Sequence, residues 1–137
     1  MNEIIADLKR DEGFRGRIYK CPADKWTVGY GRNLEDIGVT EEEAEQMLRN
    51  DVARVERELD RAYPWWVKCP GSVRRGLVNV AFNIGLSRLA GFKKMLACLQ
   101  AGDYRGAARE ALDSKWAAQV GERSKRIAEL FIAAKGD

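Results

Sequence analysis

The period of the apolar positions changes twice along the chain. Ile4, Ile5 and Leu8 recur at helical spacing, with Glu12 on the same stripe and Gly13 behind it as a natural C-cap, which predicts a short first helix. From Phe14 to Gly38 the texture turns β-prone. Residues 17–20 and 26–30 read as strands, and Cys21-Pro22-Ala23-Asp24-Lys25 between them reads as a turn, so a small antiparallel sheet is expected. Thr40 followed by Glu43 is a capping-box signature. It opens a long amphipathic helix carrying Ala44, Met47, Leu48, Val52, Val55 and Leu59, which Pro64 ends. Ser72 is expected to cap the next helix, whose Val73, Leu77, Val78, Val80, Ala81, Phe82 and Ile84 make it apolar nearly all round. Such a helix belongs at the centre of a helical domain. Gly85 and Gly91 bracket a turn region, and helical patterns resume over 92–99, 104–112 and 124–134, with stops expected at Gly102 and Gly136.

The fold class this predicts is α+β: a mostly helical body with a small antiparallel β lobe at about 14–38, in a single domain over 1–137. The boundary between lobe and body is where a ligand cleft is expected.

Composition narrows the chemistry. A chain of 137 residues with 45% hydrophobic content can bury a core without staples. Its longest apolar runs fall short of the roughly 20 residues that span a bilayer. The first ten residues mix charges into a helical stripe, with neither an apolar h-region nor a small-residue cleavage site. The expectation is no signal peptide and residence in the cytoplasm. The net charge of +3 suits an anionic surface such as a cell wall or nucleic acid, and equally an ordinary soluble surface. Asp and Glu are interspersed among Lys and Arg, so the one-sided basic helix face of a nucleic-acid binder is weak.

The chain has three cysteines, Cys21, Cys69 and Cys98, and no histidine. That excludes Ser–His and Cys–His nucleophilic machinery. The thiols and carboxylates are not grouped for a zinc site, so no metal is expected. Carboxylates are the leading proton carriers. Glu12 continues the apolar stripe, so it is expected to point inward or toward the cleft edge. It also lies in the last helical turn, where the macrodipole opposes a negative charge. Both effects favour the protonated form that a general acid needs, although a glutamate fraying into water fits the periodicity as well. Taken singly, Cys21 reads as a small buried hydrophobe, Asp24 as a turn former and Thr27 as an ordinary strand residue.

Together these segments read differently. Asp11-Glu12-Gly13, Tyr19-Lys20-Cys21 and Trp26-Thr27-Val28-Gly29-Tyr30-Gly31 resemble the catalytic segment of phage-type lysozymes of glycoside hydrolase family 24. In that family a glutamate is followed after eight residues by aspartate or cysteine, and after five more by threonine. Glu12, Cys21 and Thr27 match that spacing. Residues 74–85 resemble the family's central buried helix, Ala90-Gly91-Phe92 the start of the next, and Ser114-Lys115-Trp116 and Arg123-Ser124-Lys125-Arg126 its two carboxyl-terminal segments.

The resemblance implies an endolysin that hydrolyses the β-1,4 bond between N-acetylmuramic acid and N-acetylglucosamine in peptidoglycan, with inversion and no cofactor. Glu12, Cys21 and Thr27 would be its catalytic residues, and Gly31, Phe82, Asn83 and Arg123 would bind substrate, with Arg123 approaching Glu12. It further implies a monomer, no nucleic-acid partner, and a holin-type permeabilising partner for access to the wall. The alternative is a non-catalytic peptidoglycan-binding or scaffold domain on the same fold. Three departures stand out. Cysteine occupies a position where aspartate is frequent, Arg32 stands where histidine is common, and the stretch 31–40 is shorter than in the T-even phage members.

Overall fold

A computed structural model describes residues 2–134; the stop expected at Gly136 lies outside them. The chain divides into two compact units, Met1–Met47 and Leu48–Asp137.

The first unit begins with α1 (Asn2–Glu12), which the amide of Gly13 closes on the Lys9 carbonyl at 3.0 Å, with Gly13 at φ 70°. Only a residue tolerant of positive φ closes a helix in this way. Three strands follow, β1 (Arg15–Lys20), β2 (Trp26–Gly29) and β3 (Arg32–Asn33), in an antiparallel sheet of order β1-β2-β3. Tyr19 pairs with Thr27, Lys20 with Trp26, Thr27 with Asn33 and Val28 with Arg32. The hairpin joining β1 and β2 spans the five residues expected to turn, and Asp24 takes the left-handed conformation (φ 63°), which aspartate and asparagine tolerate better than most residues with a side chain. The two-residue β3 is too short to carry an alternation, and the sequence did not announce it.

The helix α2 (Glu41–Ala62) starts in a complete capping box: the Thr40 amide donates to Glu43 Oε1 at 2.8 Å, and the Glu43 amide to Thr40 Oγ1 at 3.1 Å. It ends before a 3-10 turn over Pro64–Lys68.

The second unit is helical. Its core gathers Val55, Leu59, Trp66, Val73, Leu77, Val80, Met95, Leu99, Trp116, Ile127 and Phe131 around α3 (Gly71–Leu89). The other helices are α4 (Lys93–Ala101), α5 (Tyr104–Leu112), α6 (Lys115–Val120) and α7 (Glu122–Ile132). The helix α3 starts on Pro70, whose carbonyl accepts from Arg74 N at 3.0 Å, and not on Ser72, which lies inside it. The helix thus starts two residues earlier than the hydroxyl predicted. The helical path breaks at Gly85 (φ 82°, ψ 160°), one of the two glycines read as turn markers. The sequence reading left α6 out; Ser114 caps it by accepting from Ala117 N at 3.1 Å. Because Gly121 (φ 59°) separates α6 from α7, the last helix starts at Glu122 and not at Ser124.

Candidate active site

Four of the expected site residues, Glu12, Cys21, Thr27 and Gly31, lie in the first unit. Phe82, Asn83 and Arg123 lie in the second.

Glu12 is the last residue of α1 and is exposed. The inward position expected from its stripe is not found, because α1 has no buried residue at all. Its carboxylate instead lies against the backbone of Gly31. A methyl group added at Gly31 would stand 2.7 Å from Glu12 Oε2 and 3.1 Å from its Cδ, and Gly31 has φ 77°. Two separate constraints therefore require glycine here: the backbone conformation and the close approach of the carboxylate.

Cys21 opens the hairpin turn and is half-buried. Its amide donates to the Lys25 carbonyl at 3.0 Å, and its carbonyl accepts from Asp24 N at 2.8 Å, closing the turn on itself. This closure aims backbone amides at the sulfur. The Lys25 amide holds the Cys21 thiol below its ordinary range, with smaller help from the amides of Ala23 and Cys21, against an opposing pull from desolvation. No lysine charge takes part. Lys20 lies over the Trp26 ring at 4.4 Å and 3.5 Å from Glu35, and Lys25 is 3.5 Å from Asp36. The other two thiols behave oppositely: desolvation raises both Cys69 and Cys98, with the Asp103 carboxylate adding to the rise at Cys98.

Thr27 is 2% exposed, and its hydroxyl donates to the Lys25 carbonyl at 2.8 Å. That carbonyl thus accepts from both Cys21 and Thr27. A hydroxyl has one proton and two lone pairs, so this bond leaves Thr27 Oγ1 free to accept.

Beyond β3 the chain is held by its own polar groups. Glu35 Oε1 accepts from Trp26 N at 2.9 Å, which is the main reason its carboxyl lies below the usual range. Asn33 Oδ1 accepts from Asp36 N at 3.0 Å.

In the second unit, Phe82 is exposed and borders a groove of about 700 Å³ with Val78, Asn79 and Arg123 among its lining residues. Arg123 Nε donates to Asn79 Oδ1 at 2.8 Å, a partner the sequence did not suggest. Asn83 Oδ1 accepts from the indole of buried Trp116 at 2.8 Å, so that oxygen is committed within the protein. No helix among the described residues is long and apolar enough to cross a membrane.

A family model described as Phage lysozyme matches residues 9–130. The endolysin of Acyrthosiphon pisum secondary endosymbiont phage 1 is 36% identical over 115 residues, covering 80% of this chain and 73% of that protein. The endolysin of Bacillus phage B103 is 36% identical over 115 residues, covering 80% of this chain and 42% of that one. The pre-baseplate central spike protein Gp5 of Enterobacteria phage T4 is 27% identical over 153 residues, covering 91% of this chain and 27% of the spike protein. The chain thus spans less than half the length of the last two.

Proposed function

The chain belongs to the phage lysozyme family, and from that premise we propose that it is an endolysin hydrolysing the bond between N-acetylmuramic acid and N-acetylglucosamine in peptidoglycan, by single displacement with inversion. The observation that carries this reading is the pairing of Glu12 against Gly31 with the Cys21 sulfur held among turn amides beside Thr27. Glu12 delivers its proton to the leaving glycosidic oxygen. A water attacks the anomeric carbon from the opposite face. Thr27 Oγ1, with its own proton committed to the Lys25 carbonyl, accepts one hydrogen of that water and fixes its direction. Cys21 acts as thiolate and takes the water's other proton as the new C–O bond forms. The lowered thiol supports this role over that of a neutral spectator. The cycle ends with Glu12 ionised and Cys21 protonated, and exchange with solvent restores both. On the second unit, Phe82, Asn83 and Arg123 serve as glycan contacts.

We further propose that the protein acts as a monomer and is held in the host cytoplasm until a holin-type permeabilising partner exposes the wall. Expression alone in growing cells should then leave them intact, and prompt lysis without membrane damage would contradict it.

The chemical test is digestion of purified peptidoglycan, with mass spectrometry of the new sugar ends and NMR of the first anomer formed. Muramic reducing ends of inverted configuration are expected. Glu12→Gln should keep the fold and lose nearly all activity, because it removes the transferable proton at almost constant shape. A folded Gln variant digesting at the parent rate would remove Glu12 from the mechanism.

A further inference from the structure

Arg32 is one residue beyond the glycine that lies under Glu12, and it is cross-strand partner to Val28, the neighbour of Thr27. Its guanidinium, although partly exposed, is tied to groups of the protein. Nη1 donates to Glu43 Oε1 at 2.8 Å and to the Gly38 carbonyl at 3.0 Å, while Nη2 bonds the other oxygen of Glu43. The same Glu43 carboxylate accepts from the Thr40 amide to complete the capping box of α2. One side chain therefore fastens three pieces of backbone: strand β3, the turn that ends at Gly38, and the first turn of α2. A planar fork meeting both oxygens of a carboxylate fixes orientation as well as distance, which a lysine ammonium cannot do. The strand so fastened is short, only Arg32–Asn33; two ladder pairs join it to β2, and just beyond it the Leu34 amide donates to the Trp26 carbonyl at 2.8 Å.

We propose that Arg32, through its fork on Glu43, is a positioning residue for hydrolysis: it holds Gly31 at the height that sets the Glu12 carboxylate and keeps β2 in register around Thr27. This rests on the function proposed above. Without the fork, the ties left to β2 are the two ladder pairs and the bonds of Leu34 and Glu35 to Trp26, which lie on the side of β3 away from Gly31; Gly31 then shifts, and the carboxylate that packs on it shifts with it. Misplacement by about 1 Å in a catalytic group costs up to roughly 100-fold in rate. The effect falls mainly on kcat, since the glycan contacts assigned to the second unit, Phe82, Asn83 and Arg123, are groups the fork does not touch.

The experiment compares the parent with Arg32→Glu, Glu43→Arg, the exchanged pair carrying both changes, and Arg32→Lys. Each is assayed for kcat and KM on soluble peptidoglycan fragments, well below its melting temperature. Amide hydrogen exchange at Gly31, Thr27 and Asn33 is followed in the same samples. Each single reversal should lower kcat about 10- to 100-fold with KM within about twofold, and speed exchange at Gly31. The exchanged pair should regain most of both, and Arg32→Lys should stay impaired because it keeps the charge without the fork. A merely structural pair would lower the melting temperature and leave kcat of the folded protein unchanged, which overturns the proposal. So does parent-like exchange at Gly31 in the single variants. An inactive parent overturns the functional reading and the positioning role together, whereas an active parent with unaffected variants overturns the positioning role alone.

Discussion

Glu12 and Cys21 take their settings from backbone groups more than from other side chains. Glu12 is seated on a glycine backbone and the Cys21 sulfur among amides. Gly31→Ala is the sharpest test of the first. The new methyl would meet Glu12 Oε2 at 2.7 Å on a backbone at φ 77°, so we expect about 1–2 kcal/mol of destabilisation from the left-handed conformation alone, with hydrolysis falling further than stability. An Ala variant with parental activity would show that the contact sets nothing. For the thiol, the sign follows from the donors. Because backbone amides, that of Lys25 first, favour the thiolate, alkylation of Cys21 should rise with pH to a midpoint below the ordinary 9.0, while Cys69 and Cys98, both raised, stay slow at that pH. Thr27→Val should depress hydrolysis by removing the oxygen that accepts from the attacking water; parental activity in a folded Val variant would remove Thr27 from the mechanism. Cys21→Asp should retain activity and Cys21→Ala lose most of it. The spacing of Glu12, Cys21 and Thr27 was legible in the sequence. The cause of the lowered thiol was not, because the amides that act on the sulfur depend on how the turn closes.

At the scale of elements, legibility followed the length of the repeat. The helix α2 was readable from Thr40 to Pro64 because 22 residues of 3.6-periodicity and a capping box agree. Strand β3 and α6 were missed because two and six residues carry too little pattern. Ser72 misled because a hydroxyl beside a proline offers two starts, and the proline won. The capping box has an energetic consequence: Thr40→Ala should cost about 1 kcal/mol of stability by denaturant unfolding. Its Glu43 has a pH consequence as well. The Arg32 fork first, and the Thr40 amide second, hold Glu43 down to about 2 from an ordinary 4.5. A carboxyl lowered in the folded state contributes stability above its unfolded value and loses it as pH falls toward its folded value. The melting temperature should therefore drop between pH 4.5 and 2, and the drop should be shallower in Glu43→Gln. An identical acid profile in that variant would show that the tie does not stabilise the unit.

Across the whole molecule the modest net charge of +3 hides an uneven distribution. Residues 1–47 hold seven Lys and Arg against eleven Asp and Glu, a net of −4, while residues 48–137 hold seventeen against ten, a net of +7. The sequence shows this only once the boundary between units is known, so the bulk value gave no guide. A strongly cationic helical unit is attracted to an anionic polymer such as a cell wall, and that attraction is long-ranged and screened by salt. The Debye length shrinks from about 10 Å at 0.1 M to about 3 Å at 1 M, which should weaken capture of the wall without altering contacts at bonding distance. The expected result is a KM on intact walls that rises steeply between these salt concentrations, with kcat held. On short glycan fragments stripped of peptide and polymer charge, KM should change little over the same range. Replacing the exposed Lys94 and Arg105 by Gln, on helices that carry none of the residues assigned to the site, should reduce the salt slope on walls and leave fragment hydrolysis as it was. A salt effect of equal size on both substrates would place its origin in the bond-breaking step and remove any role for the charge of the second unit in reaching the wall.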